Sequence, residues 1–86
     1  MKIEFKPRAE DDFLSLEKKL QGIFENHLKK LLEMSPRRHL CFGMPYYVED
    51  VTQSARIVYD FEGDVIYVIR CFSNHKDYER WYLAFK

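Results

Sequence analysis

The hydrophobic period of this chain changes once, and that change constrains the fold more than any other feature. Up to Met34, apolar residues return every three or four positions. Phe13, Leu16, Leu20, Phe24, Leu28 and Leu31 run through "FLSLEKKLQGIFENHLKKLLEM" as one helical stripe. From His39 the spacing is that of strands, in "HLCF", "MPYYVEDV", "SARIVYDFE" and "DVIYVIRCF". A helical stripe and an alternating sheet face each stay in water unless they cover one another. The two periods therefore predict an α+β domain: an N-terminal strand and a helical hairpin packed on a small, mostly antiparallel sheet, with a short C-terminal helix.

The opening "KIEFK" alternates Ile3 and Phe5 against charged neighbours, which predicts a half-buried strand ended by Pro7. Glu10, Asp11 and Asp12 are expected in the first helical turn, where the helix dipole favours them. Gly22 is expected to hinge the stripe into a hairpin or a kinked helix, which Ser35 and Pro36 stop. Only "EGD" separates the last two strands, so they form a hairpin in which Gly63 takes the positive φ of the turn. A three-residue loop, the reading preferred here, puts Ile57, Tyr59 and Phe61 on one face with Val65, Tyr67 and Ile69. Arg56 and Arg70 then share the other face, whereas a two-residue loop would separate them. No repeat, low-complexity stretch or long linker interrupts the sequence, so residues 1–86 read as a single domain.

Composition removes several function classes. Apolar residues at 47% and aromatics at 16% describe a globular chain rather than a disordered one. Lys plus Arg and Asp plus Glu both number 14, and this balance argues against strong sequence-independent nucleic-acid binding, which depends on cations neutralising phosphates. No stretch approaches the roughly 20 consecutive apolar residues of a membrane span, and "MKIEFKPRAEDD" lacks the apolar run of a secretory signal, so a cytoplasmic protein is expected. Cys41 and Cys71 have no CxxC or Cys/His spacing, which favours buried free thiols over a metal site or a disulfide. Ser15, Ser35 and Ser54 have no glycine elbow around them, and no phosphate-binding glycine loop occurs, so serine-hydrolase and nucleotide-cofactor chemistry are not expected.

The residues that carry chemistry lie in the second half. Arg56 and Arg70 interrupt strands of Ile, Val and Tyr; each either pairs with Asp60, Asp64, Glu49 or Asp50, or grips a phosphate with two parallel hydrogen bonds. His75 stands at a strand-to-helix junction, and an imidazole there either serves as a general acid or base or is structural. Tyr78 and Tyr82 follow at helical spacing on the same side, and Trp81 lies on an adjacent face; both Trp81 and Tyr82 suit packing, and either could stack on a base. Arg37, Arg38 and His39 in "SPRRHL" make a short basic loop suited to solvent or to a phosphate backbone.

These residues resemble a known family. The stretch "SARIVYDFEGDVIYVIRCFSNHKDYERW" is similar to the paired strands and following Gly-Thr-His-x-x-Tyr-Asp stretch of the RelE/ParE toxin superfamily, in its HigB-like branch. Ala55, Arg56, Ile57 and Val58 stand where those toxins carry a Tyr-Arg-Leu-Ile strand, and Ser73 and Asn74 replace the Gly-Thr. The resemblance, which covers nearly the whole chain, implies a toxin of a type II toxin–antitoxin pair. Such a toxin is a metal-independent endoribonuclease without cofactor that cleaves mRNA on the ribosome and is silenced by a cognate antitoxin. It implies catalytic roles for His75, Arg56 and Tyr78, and RNA contacts from Arg70 with Arg37, Arg38 and His39. The paired lysines or acidic base of the family have no clear counterpart, and Arg37, Arg38, His39 and Glu49 are the candidates. Two other readings share the fold: a ParE-like inhibitor that binds DNA gyrase without chemistry, and an interaction module that has lost catalysis. His75 favours the nuclease, because gyrase binding requires no general acid.

Overall fold

The computed structural model describes residues 2–33 and 46–85. Arg37, Arg38, His39 and Cys41 lie outside the described residues, as does the strand expected over "HLCF". The order of elements is β1 (Lys2–Phe5), α1 (Pro7–Ser15), α2 (Lys18–Glu33), β2 (Tyr47–Asp50), β3 (Arg56–Glu62), β4 (Val65–Phe72) and α3 (His75–Phe85). The strands form one sheet in the order β1-β4-β3-β2. The β2–β3 and β3–β4 pairs are antiparallel, as the alternating runs predicted, but β1 lies parallel to β4 with Ile3 opposite Ile66. Parallel neighbours need a long crossover, and α1, α2 and the two intervening strands supply it.

Pro7 opens α1, where its fixed φ suits the first turn and its missing N–H is no loss. Because the helix starts there, only Glu10 of the three acidic residues falls in the first turn, and Asp12 is left for another role. The helical stripe does not break at Gly22, as expected, but at Leu16, whose backbone is extended (φ −74°, ψ 150°). The amide of Gln21 supports this break: Nε2 donates to the carbonyls of Phe13 (2.9 Å) and Leu16 (3.1 Å), and the Leu16 N–H also donates to the Phe13 carbonyl at 3.1 Å. Gly22 sits inside α2.

The two helices cover one face of the sheet. Ala9, Phe24, Leu28 and Leu31 pack there against Ile57, Tyr59, Ile66, Val68 and Cys71, with Phe13, Leu16 and Leu20 at the margin. A second, smaller core lies on the opposite face, because Val58 alternates with Ile57 and Tyr59. Val58, Phe72 and Tyr78 are buried in it, with Tyr46, Ile69, Trp81 and Tyr82 packed around them. The C-terminal helix α3 thus caps the face that α1 and α2 leave open.

The hairpin departs from the expected register. Glu62 pairs with Val65, so the loop is Gly63 and Asp64 alone, with Gly63 at φ 59° as required of it. A two-residue loop turns Ile66 and Val68, not Val65 and Tyr67, toward the helices. It should also separate Arg56 from Arg70. A β-bulge prevents this: Tyr59 pairs with Val68 and Val58 with Arg70, which leaves Ile69 as the extra residue. Parity is restored beyond the bulge. Arg56 (opposite Phe72) and Arg70 (opposite Val58) share the outer face as expected, by a different route, and Ile69 joins the outer core rather than the helical one.

Candidate active site on the outer sheet face

His75 is the first residue of α3, and the sequence before it builds the junction. Asn74 Oδ1 accepts from the Asp77 backbone N–H at 2.8 Å, while its Nδ2 donates to Asp77 Oδ2 at 3.1 Å, so the amide satisfies one of the free donors at the helix start. The His75 side chain is 51% exposed, with Nε2 3.5 Å from Glu79 Oε2 one turn on. Its ring lies 5.8 Å from that of Tyr78, which packs edge-on to Phe72 at 5.9 Å and beside Tyr82 at 5.4 Å. His75, Tyr78 and Tyr82 therefore share one side of the helix, as their spacing predicted. Tyr78 is only 5% exposed, which makes it a wall of the outer core beneath the imidazole.

Arg56 reaches the same end of the sheet, since it faces Phe72 across the strands and Phe72 supports Tyr78. Its side chain is 14% exposed and its guanidinium closely held. Nε lies 2.9 Å from Asp50 Oδ1, and Nη1 donates to the carbonyls of Thr52, Gln53 and Ala55 at 3.4, 3.2 and 3.1 Å. Pairing with Asp50 was one of the two readings of its sequence. Nη2 carries none of these contacts.

Arg70 meets a carboxylate that the sequence did not suggest. Asp12 of α1 accepts from Arg70 Nε at 2.6 Å and Nη2 at 3.2 Å, and its Oδ2 also takes the Cys71 backbone N–H at 3.1 Å. Both side chains are 19% exposed, and the guanidinium lies over the Phe72 ring at 5.0 Å. The pair forms one wall of a cleft of about 390 Å³ where α1, the end of β4 and α3 meet; Ser73, Asp77, Arg80 and Trp81 line the rest. Among the described residues no carboxylate lies within ion-pair distance of Arg80. Burial, reinforced by the Asp12 charge and opposed by that of Arg70, pushes the Cys71 thiol up to about 12, so it takes no part as a thiolate near neutrality.

Glu49, one of the candidate bases, faces the wrong way. It pairs with Ile57 of the helical core, and its two oxygens meet His27 Nε2 (2.8 Å) and the Tyr59 hydroxyl, which donates at 2.9 Å. It lies on the opposite side of the sheet from α3 and His75. On the outer side, Asp50 lies beside Arg56 and Glu79 beside His75.

The fold has known counterparts. The chain has the fold of RelE/ParE-like toxins, an α+β fold shared over most of its length with several solved structures. A chain of the E. coli RelBE toxin–antitoxin complex is 25% identical with a TM-score of 0.72, the match covering 81% of this chain and 92% of that one. The isolated E. coli RelE toxin is 24% identical with a TM-score of 0.69, over 98% of this chain and 97% of its own. A heterotetrameric YoeB–YefM toxin–antitoxin complex from Staphylococcus aureus matches at 21% identity and a TM-score of 0.67, over 84% and 94%. No family model and no curated protein sequence matches the chain.

Proposed function

We propose that this protein is the toxin of a type II toxin–antitoxin pair, a metal-independent, ribosome-dependent endoribonuclease that cleaves mRNA in the cytoplasm. One observation carries the reading: a RelE-like fold whose outer sheet face bears an exposed histidine at the strand-to-helix junction and, at the same end, a fixed arginine. The His75-x-x-Tyr78 spacing supports the HigB-like branch, and residues 1–86 act as one toxin domain.

In this reaction the ribose 2′-oxygen attacks the adjacent phosphorus, a base takes its proton, and the bond from phosphorus to the 5′-oxygen breaks. The products are a 2′,3′-cyclic phosphate and a 5′-hydroxyl. His75 gives its proton to the departing 5′-oxygen. Arg56, already held by Asp50 and three carbonyls, directs Nη2 to the phosphorane without reorganising, which is where a fixed charge stabilises most. Tyr78, buried beneath the imidazole, positions His75 instead of touching RNA. Asp50 and Glu79, the carboxylates beside Arg56 and His75, are the candidates to take the 2′-proton. Arg70, with Arg37, Arg38 and His39, contributes phosphate contacts.

The cognate antitoxin silences the protein by covering the β2 edge of the described sheet or the face of the α1–α2 hairpin, with acidic residues toward Arg56 or Arg37. The neighbouring RelBE and YoeB–YefM structures support such a partner. Cleavage of ribosome-bound mRNA by the purified protein tests the reading. His75→Ala and Arg56→Ala should each slow it by roughly 10² to 10⁴ while remaining folded, and both should relieve growth arrest in cells lacking the antitoxin. A parent protein that leaves ribosome-bound mRNA intact, or a folded His75→Ala variant that cuts at the parental rate, would sink the proposal.

A further inference from the structure

We infer that the pocket over the β4 bulge is a binding subsite for one unpaired nucleotide of an RNA strand, with its base against Trp81 and Tyr46 and its phosphates on Lys6 and Arg8. This rests on the ribonuclease reading and extends it to surfaces outside the His75 and Arg56 site.

The pocket, of about 300 Å³, lies where the β1–α1 junction, β4 and α3 meet. Its floor is Ile69, the extra residue of the bulge, which turns outward together with Arg70. Bulges commonly re-aim a side chain in this way. Its walls are two half-buried aromatic rings, Tyr46 and Trp81, 6.3 Å apart and inclined by only 30°. Its rim carries Lys6, Arg8 and Arg70. Arg70 is balanced by Asp12, but Lys6 and Arg8 are exposed, and among the described residues no Asp or Glu lines the pocket. Lys6 is fixed on this side of the sheet: its N–H donates to the Val68 carbonyl at 3.0 Å, and its Nζ lies 4.7 Å from the centre of the Tyr67 ring.

An apolar floor, aromatic side chains and a cationic rim are the features that hold single strands, because every base offers a stacking face and every linkage a negative charge. A duplex buries its bases in its own stack and would meet the rim alone. Trp81 also lines the cleft that contains Arg80, so a strand leaving the pocket past Trp81 meets a further cation without a carboxylate partner among the described residues.

The chain has a single tryptophan, so its emission reports on this pocket directly. The test titrates the purified full chain with a single-stranded oligoribonucleotide whose 2′-hydroxyls are methylated, which blocks cleavage and isolates binding. Trp81 emission should be quenched on binding. In the Lys6→Gln, Arg8→Gln double variant the slope of log affinity against log salt should fall by about 1.4, from roughly 0.7 per phosphate contact on single strands, and affinity near 0.1 M salt by on the order of ten-fold. Both substitutions lie on exposed side chains, and circular dichroism confirms the fold. Absence of binding, binding by fluorescence anisotropy without a change in Trp81 emission, an unchanged salt slope in the double variant, or equal affinity for duplex RNA would each overturn the inference. Failure of the parent to cleave mRNA, with quenching and slope as expected, would instead remove the nuclease reading and leave the subsite standing.

Discussion

Asp12→Ala should destabilise the protein more than any other single change to a polar side chain on α1. The substitution removes two contacts to Arg70, at 2.6 and 3.2 Å, and the acceptor of the Cys71 N–H at 3.1 Å. It also leaves the Arg70 charge half-enclosed between α1 and the Phe72 ring. Removing one partner of a fully buried ion pair costs about 3 to 5 kcal/mol, whereas exposed pairs are worth about 0 to 1 kcal/mol. Both side chains here are 19% exposed, which places the loss between those limits, at about 2 to 3 kcal/mol. In a domain of this length that lowers Tm by about 10 to 20 °C. Thermal denaturation followed by circular dichroism measures it. Asp12→Asn keeps an acceptor for the Cys71 N–H and should lose about half as much. Paired with Arg70→Met, the Asp12→Ala change should cost less than the sum of the single variants, because no uncompensated charge then remains. A Tm fall below about 4 °C for Asp12→Ala, equivalent to less than about 1 kcal/mol, or strict additivity in the cycle, would refute the argument.

Cys71 gives a pH signature. Its thiol is pushed from 9.0 to about 12, so the folded state keeps a proton that the unfolded chain releases: stability is unaffected below pH 9 and falls by about 1.4 kcal/mol per pH unit between 9 and 12. Urea denaturation at pH 8 and pH 10.5 should show this loss in the parent and not in Cys71→Ala. Gly22→Ala should raise stability by about 1 kcal/mol, since a methyl there meets nothing within 4 Å and alanine favours the helix interior; a loss in the same denaturation assay would show that α2 needs a hinge after all.

The fold was legible where a feature is local and periodic. The stripe from Phe13 to Leu31 and the alternation in β3 assigned the elements and the face of β3 that meets the helices. Position within the stripe was less so: Gly22 looked like the break, but the chain turns at Leu16, where the Gln21 amide supports the end of α1, a side-chain-to-backbone contact that spacing does not encode. The hairpin shows a different limit. One residue more or less in the loop inverts every side chain of β4, and a bulge inverts them again. Turn and bulge cancel for Arg70 but not for Ile66 and Val68, so the arginine face was predicted correctly from an incorrect loop.

The site divides along the same line. His75 and Arg56 stood out because a titratable ring at a junction and a charge inside an apolar strand are anomalies in their own neighbourhoods. Asp12 did not, because a carboxylate near a helix start needs no explanation, and its partner lies 58 positions away. Neutrality is a sum over the molecule, which measures 32 by 30 by 24 Å, while charges separated by more than about 10 Å are largely screened from one another at 0.1 M salt. What a phosphate meets is therefore local. Asp12 is committed to Arg70, Asp50 to Arg56 and Glu49 to His27, so these carboxylates do not offset Lys6, Arg8 and Arg80. A chain with equal numbers of acidic and basic residues thus presents, on the one face that also carries His75, cations and aromatic rings suited to a polyanion.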